Sequence, residues 1–394
     1  ARPPARRHRR APPPRAPPAT QATGAKFALK RLAKAFYVDE AKWLQVLDER
    51  AILYELRHPF VVGQHGSFQD AAHLYLVLDF VAGAAPAPDG IELRRSRRAP
   101  PPAGGELFGY LKVVDRVPEA AGRFYAAQCV LLFAYLHDRD VIYRDLKPEN
   151  LLLDDRGYLK LIDFSFGKRV ERGSKTYTLC GTPERGPPAP KRRFSRARFC
   201  RRYLAPEVLQ STGHGRGVDW WTLGCLVYEM LVGQPPFENA NGLFSEPRGT
   251  RAVGTAFFAG DALALYTRIL DDDWAIPFPK DVSRAAKSLV RRLCEREITK
   301  RIGSFPTAPR VCSRRDAPLS PAGCGRLGSY SVKKHRFFWA LSWRGLLDKL
   351  PAAPYVPRLA DADDLSHFSG ACKDPPAAPG KAASWPEDRF DAWG

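Results

Sequence analysis

Short apolar and alternating runs dominate the first third of the chain, and longer helical periodicities take over afterwards. Residues 26–31 read as a short strand, and 38–56 as a helix with Trp43, Leu47 and Tyr54 on one face. The apolar run 74–80 (LYLVLDF) predicts a second strand. Pro118 opens a long helix through 137, with Phe124, Leu131 and Tyr135 at helical spacing. Short strands follow at 141–143, 151–153 and 159–162, the last two joined by a turn at 154–157. Further helices are predicted at about 206–210, 218–232, 263–270, 283–294 and 338–349. Strands first and helices later describe a two-lobed α+β architecture.

Stretches of another texture break this pattern. Residues 1–22 are almost entirely Arg, Pro and Ala, a composition that builds no core and reads as disordered. Similar material recurs at about 84–103 and 185–202, a Gly/Ala/Phe-rich stretch fills about 240–262, and a Pro/Ser/Arg/Gly-rich one about 304–331. Structureless loops beyond about 12–15 residues are uncommon inside compact domains, so four of them need an explanation.

Of the 394 residues, 62 are Lys or Arg and 42 Asp or Glu, a formal net charge of +20. Such a charge would point to nucleic acid if it formed a coherent folded patch. Its location argues otherwise. Residues 1–22 carry six basic and no acidic side chains, 185–202 eight and none, 84–103 four against two, and 304–331 four against one. Those segments hold nearly the whole excess, so no nucleic-acid partner is expected. At 44% hydrophobic, the chain as a whole is not a disordered protein. The longest apolar run, about 126–136, is too short for a membrane span, and no charged-then-apolar leader opens the chain. Its eight scattered cysteines form no CxxC pair and read as reduced thiols, which with the missing leader predicts a cytoplasmic or nuclear protein. The opening on Ala1 rather than Met reads as a fragment or an incomplete gene product.

The decisive chemistry lies in YRDLKPEN at 143–150, followed by a hairpin and then Asp163, Phe164 and Ser165. Phosphoryl transfer from a nucleotide asks for positioning and charge neutralisation more than for covalent chemistry. A carboxylate must receive the hydroxyl proton, a lysine must meet developing charge, and oxygen ligands must hold magnesium. Asp145, Lys147, Asn150 and Asp163 supply that set, with Asn150 and Asp163 suited to Mg2+.

These motifs resemble those of the eukaryotic protein kinases, and the resemblance covers roughly three-quarters of the chain. It implies the bilobal protein-kinase fold, with catalytic Asp145, Lys147 and Asn150, the cofactors ATP and Mg2+, and Asn150 and Asp163 as metal ligands. Lys30, in FALK at 27–30, is similar to the lysine that grips the α/β-phosphates, and Glu49 falls where its ion-pair partner belongs. ATP would be held by Ala28, Lys30, Glu49, Leu78, Asp79, Val81, Glu106, Leu152, Asp163 and Phe368. Glu207 in APE at 205–207 would pair with Arg301, and Asp219 would anchor the catalytic loop from a buried helix. TYTLCGTPE at 176–184 places the chain in the AGC group, most similar to catalytic subunits of cAMP-dependent kinases and next to cGMP-dependent ones. Thr178 would be the activation-loop phosphorylation site, received by Arg144 and Lys168. Phe368 falls in a tail segment similar to one that reaches the adenine pocket, and Trp393 in FDAW at 390–393 resembles a hydrophobic motif that docks on the small lobe.

Glu106, Glu149 and Glu229 fall where the cyclic-nucleotide-dependent kinases hold acidic residues for substrate arginines. Leu179, Pro183 and Leu204 would receive the apolar residue after the target. The implied partners are proteins with Arg two and three positions upstream of Ser/Thr, and a cyclic-nucleotide-binding regulatory subunit.

The domain plan is a disordered 1–22, a kinase domain over 23–343 (N-lobe 23–80, C-lobe 104–343) interrupted by the four insertions, and an AGC-type tail over 344–394. Three departures stand out. The glycine-rich phosphate loop, and the first two strands with it, are missing upstream of Lys30, where prolines lack the N–H groups such a loop aims at phosphate. Ser165 replaces the glycine of Asp-Phe-Gly, where positive φ would cost a serine. The insertions split motifs that rejoin when they are removed, which reads as translated non-coding sequence, with regulatory loops as the competing idea. A different class stays open: a catalytically impaired, pseudokinase-like scaffold.

Overall fold

The computed structural model describes residues 26–37, 40–81, 107–177, 201–238, 259–304, 326–357 and Trp393. The N-terminal part is a three-stranded antiparallel sheet in the order β1 (Phe27–Ala33), β3 (His73–Asp79), β2 (Gln64–Gln69). Its register sets Ala28 against Leu78 and Lys30 against Leu76. The central strand β3 buries Leu74 and Leu76 completely, as its continuous apolar run requires. Strand β2 (QHGSFQ) carries no such run, lies at an edge and contains a register shift between Gln64 and Gly66, so its sequence pattern gives no strand signal.

Helix α1 (Glu40–Glu55) covers the sheet. Its buried face is Trp43, Val46, Glu49, Ile52 and Leu53. Tyr54, expected on that face with Trp43, is 60% exposed instead.

The larger part is helical. Helix α2 (Leu107–Val114), not predicted from the sequence, leads to α3 (Glu119–His137) and then to the short pairs β4 (Val141–Ile142) with β7 (Lys168–Arg169) and β5 (Leu151–Leu153) with β6 (Leu159–Leu161). After α4 (Pro206–Leu209), helix α5 (Gly217–Val232) is buried nearly all round and packs on α3 and α7 (Arg284–Leu293). Helix α6 (Ala259–Leu270) begins inside the stretch read as an insertion over 240–262, and α8 (Arg326–Lys333), which packs on α3, inside that over 304–331. The predicted helix over 338–349 is two pieces, a 3-10 turn at Arg336–Phe338 and α9 (Trp343–Leu347). Ser342 restarts the helix by accepting the Gly345 N–H at 3.1 Å.

The chain after α9 straps back over the β5–β6 turn. Lys349 pairs with Asp154 at 2.6 Å, and Tyr110 stacks on Tyr355 at 4.5 Å. Gly157, at φ 77°, cannot be replaced here, since a Cβ would lie 1.9 Å from the Tyr355 carbonyl oxygen. Beyond 357 the described residue is Trp393. Its indole N–H donates to the Phe68 carbonyl at 2.9 Å, its ring lies 6.2 Å from that of Trp43, and the Arg50 guanidinium sits 5.2 Å away. Phe390 lies outside the described residues.

Arg301 is the polar tie of the helical part. It is 2% exposed and grips Glu207 bidentately at 2.6 and 2.9 Å, while also donating to the carbonyls of Gly217 and Glu295. Glu207→Ala leaves that guanidinium buried without its counter-charge. It is expected to cost about 3–5 kcal/mol, read as a lowered midpoint in urea unfolding.

Candidate active site

The site is assembled by one carboxylate inside α5. Asp219, fully buried, accepts the backbone N–H of Tyr143 on Oδ2 at 3.0 Å and that of Arg144 on Oδ1 at 2.7 Å, with His137 Nε2 also 2.7 Å from Oδ2. These bonds hold Arg144 at φ 68°, and the loop that follows turns its polar groups together. Asp145 Oδ2 receives Lys147 Nζ at 2.6 Å and Asn150 Nδ2 at 2.8 Å. The Asn150 amide also donates to the Asp145 carbonyl, which leaves its carbonyl oxygen as the acceptor end. Burial pushes the Asp145 carboxyl above its ordinary value, with Lys147 and Asn150 opposing and Asp163 adding to the rise. A cavity of about 20 Å3, room for about one water, opens beside Asp145 between Lys147, Phe166, Tyr203, Leu204 and Thr222.

A second cluster joins the two lobes. Lys30 Nζ, on β1, lies 2.5 Å from Glu49 Oε1 of α1 and 2.9 Å from Asp163 Oδ1. Burial works against the Lys30 charge, yet Glu49 and Asp163 prevail and hold the ammonium above its ordinary range. Asp163 takes φ 60°, and Phe164 behind it is buried edge-on against Tyr143 at 5.1 Å. The left-handed residue is therefore Asp163. Ser165 has ordinary negative φ, so the strain expected of a serine at the glycine position is absent.

Asn150 and Asp163 sit at neighbouring points of the β5–β6 hairpin base, where the Ile162 N–H donates to the Asn150 carbonyl at 3.0 Å. Their side-chain oxygens are hard donors that suit magnesium, which takes few protein ligands and completes its shell with phosphate and water. Among the described residues there is no group of three or more His, Cys, Asp or Glu able to hold a metal ion.

Four of the other expected nucleotide residues lie on or just beyond strands. Ala28 is on β1, Leu78 opposite it on β3, Val81 just beyond, and Leu152 on β5. The Asp79 side chain is engaged elsewhere. Its carboxylate accepts the Gly63 N–H at 2.7 Å and meets His65 Nε2 at 2.7 Å, and these bonds hold it below its ordinary value despite burial. Glu106, Phe368, Thr178, Leu179 and Pro183 lie outside the described residues.

Arg144 donates to the Phe166 carbonyl at 2.7 Å and faces His214 at 3.4 Å, while Lys168 donates to Thr176 Oγ1 at 3.1 Å. Burial and Arg144 push His214 down to about 4. On the opposite side Tyr203 donates its phenol proton to the buried Glu229 and also feels the charge of Glu149. Glu149, Glu229 and Leu204 thus share one neighbourhood beside Asp145. Sequence reading missed Ser165 as a polar member of the Lys30 cluster, and also Tyr203 and His214. The pairing of Tyr203 with a residue 26 positions away leaves no local signal.

A family model described as protein kinase domain matches residues 18–313. A cAMP-dependent protein kinase catalytic subunit of Dictyostelium discoideum is 34% identical over 88% of this chain and 40% of its own length. A catalytic subunit-like cAMP-dependent kinase of Caenorhabditis elegans is 33% identical over 94% and 72%. A cGMP-dependent kinase, isozyme 1, of Drosophila melanogaster is 32% identical over 92% and 37%. The chain therefore spans well under half the length of the Dictyostelium and Drosophila relatives. With the bilobal α+β fold, the match over three-quarters of the chain shows that it belongs to the protein kinase family, in its AGC group.

Proposed function

We propose that the chain transfers the γ-phosphate of ATP to Ser or Thr hydroxyls that follow arginine at two and three positions upstream. The observation that carries this reading is the Asp145–Lys147–Asn150 group with the carboxylates of Glu149 and Glu229 near the neighbouring Tyr203. Asp145 accepts the substrate hydroxyl proton, and Lys147 offsets the charge that develops next to it. Magnesium, held by Asn150 and Asp163, neutralises phosphate charge when bound. Lys30 orients the phosphates, and Ala28, Leu78, Val81 and Leu152 frame the base. Glu149 and Glu229, with Glu106, meet the substrate guanidinium groups, while Leu204 joins Leu179 and Pro183 against the residue after the target. Thr178 is the activating phosphosite, read by Arg144 and Lys168. Glu207, Arg301 and Asp219 are structural.

The domain plan of a kinase body over 23–343 and a tail over 344–394 is part of this reading. So are a cyclic-nucleotide-binding regulatory subunit, drawn from the names of the relatives, and a cytoplasmic or nuclear setting. Among the described residues no helix is long and apolar enough to cross a membrane.

A second reading, a binding module without turnover, is favoured by one feature. The stretch before Lys30 (HRRAPPPRAPP at 8–18) has no glycines and few N–H groups to offer phosphate. A thermal-shift comparison with and without Mg·ATP, alongside peptide phosphorylation by the full chain, separates the two. The kinase reading expects phosphate on a peptide bearing both arginines and a fall in kcat/KM of roughly tenfold or more for each Arg→Ala, the scale of a charge-assisted hydrogen bond. Equal turnover of the Ala peptides removes the specificity, and turnover unchanged in Asp145→Asn removes the assigned base, worth about 10²–10⁴.

The environment of Asp145 also fixes a pH dependence. Its active form is the carboxylate, and burial raises its pKa above the ordinary 3.8, so activity falls with falling pH at a midpoint above that value. Lys147→Ala removes the favourable positive charge and moves the midpoint higher still. A kcat/KM profile between pH 4 and 8 reads both, and a downward shift in the variant contradicts the assignment.

A further inference from the structure

Ser165 places a hydroxyl in the middle of the Lys30 cluster, where the family's glycine has no side chain. Its Oγ donates to Asp163 Oδ1, lies 3.2 Å from Glu49 Oε2, and accepts from Lys30 Nζ at 3.2 Å. Its carbonyl oxygen receives the amide of Gln45 from α1, and its own N–H lies 3.3 Å from Asp163 Oδ1. One side chain therefore touches the strand lysine, the helix glutamate and the aspartate, three residues brought together from three elements.

We infer that Ser165 is a positioning residue that clamps the Asp163 carboxylate against the Lys30–Glu49 pair. A hydroxyl has one proton to give. Spent on Asp163 Oδ1, it adds to Lys30 a second donor on the oxygen that Lys30 already holds, so Asp163 is secured from two sides. The serine proton thereby competes for Asp163 Oδ1 with any cation that would take that oxygen. The proton then has a second acceptor within reach, Glu49 Oε2, so the Lys30–Glu49 pair keeps a partner when Asp163 turns away. The consequence is a magnesium requirement higher than a glycine at this position would give, and a helix α1 fixed before any ligand arrives.

This inference rests on the nucleotide and magnesium reading of the site proposed above, and the test keeps the two apart. In the full chain, Ser165→Ala removes the hydroxyl and keeps the Cβ, whereas Ser165→Gly removes both. Without ligand, hydrogen exchange is followed at the amides of α1. With a fluorescent ATP analogue, Mg2+ is titrated to the half-saturating concentration. Both variants are expected to exchange several-fold faster in α1 and to need roughly tenfold less Mg2+, the scale of one hydrogen bond to a carboxylate. Unchanged exchange in Ser165→Ala overturns the clamp, as does a half-saturating Mg2+ concentration that stays level or rises. A change confined to Ser165→Gly overturns it too, because the effect would then be one of backbone freedom. If no form binds the analogue, the exchange result alone decides the clamp, and the nucleotide reading is what fails.

Discussion

The structure turns on a charge placed where charges are least welcome. Helix α5 is apolar and buried nearly all round, and Asp219 sits in its first turn with no exposure at all. An ionised carboxylate there is tolerable only if hydrogen bonds replace its water. It finds them in the N–H groups of Tyr143 and Arg144 and in His137. Satisfying Asp219 thus dictates the path of the backbone just ahead of Asp145. The same local path sends the Tyr143 phenol to the carbonyls of Ile162 and Asp163, so the loop carrying Asp145 and the loop carrying Asp163 are both set by one buried carboxylate. Site geometry here is a by-product of desolvation.

Legibility in the sequence follows the same division between local and non-local causes. Strand β3 and helices α3 and α5 are readable because their apolar residues are continuous or periodic over one segment. The loop 143–150 is readable because its chemistry is contiguous. Strand β2 is not, since a polar edge strand with a bulge owes its pairing to β3 rather than to its own pattern. Helix α8 hides in a Gly/Ser-rich stretch whose stability comes from packing on α3. The insertion limits drawn from composition accordingly overlap α6 and α8.

Ser165 is the instructive case at the site. Composition offers only a missing glycine and therefore an expected backbone cost. In the fold that cost does not arise, because the positive φ belongs to Asp163, and the serine side chain instead enters a polar cluster. Its contacts lie 116 positions away at Glu49 and 135 at Lys30, a separation over which no sequence pattern speaks.

The two clusters also differ in what holds them, and that difference bears on how the lobes relate. Around Arg301 every partner belongs to the helical part, so the guanidinium ties elements that hydrophobic packing already joins. The Lys30 cluster instead spans β1, α1 and the segment after β6; Glu49 is buried, but the side chains of Lys30 and Asp163 are only partly shielded from water, exposed by 25% and 19%. Buried ion pairs add little net stability once desolvation is counted, but they penalise wrong geometries strongly. A cross-lobe contact of that kind fixes relative position without a large apolar area behind it. Its charges are therefore open to competition from other ions, whereas the buried bidentate pair at Arg301 is not. Stability and responsiveness are thereby divided between two ion-pair centres that a list of charged residues would not distinguish.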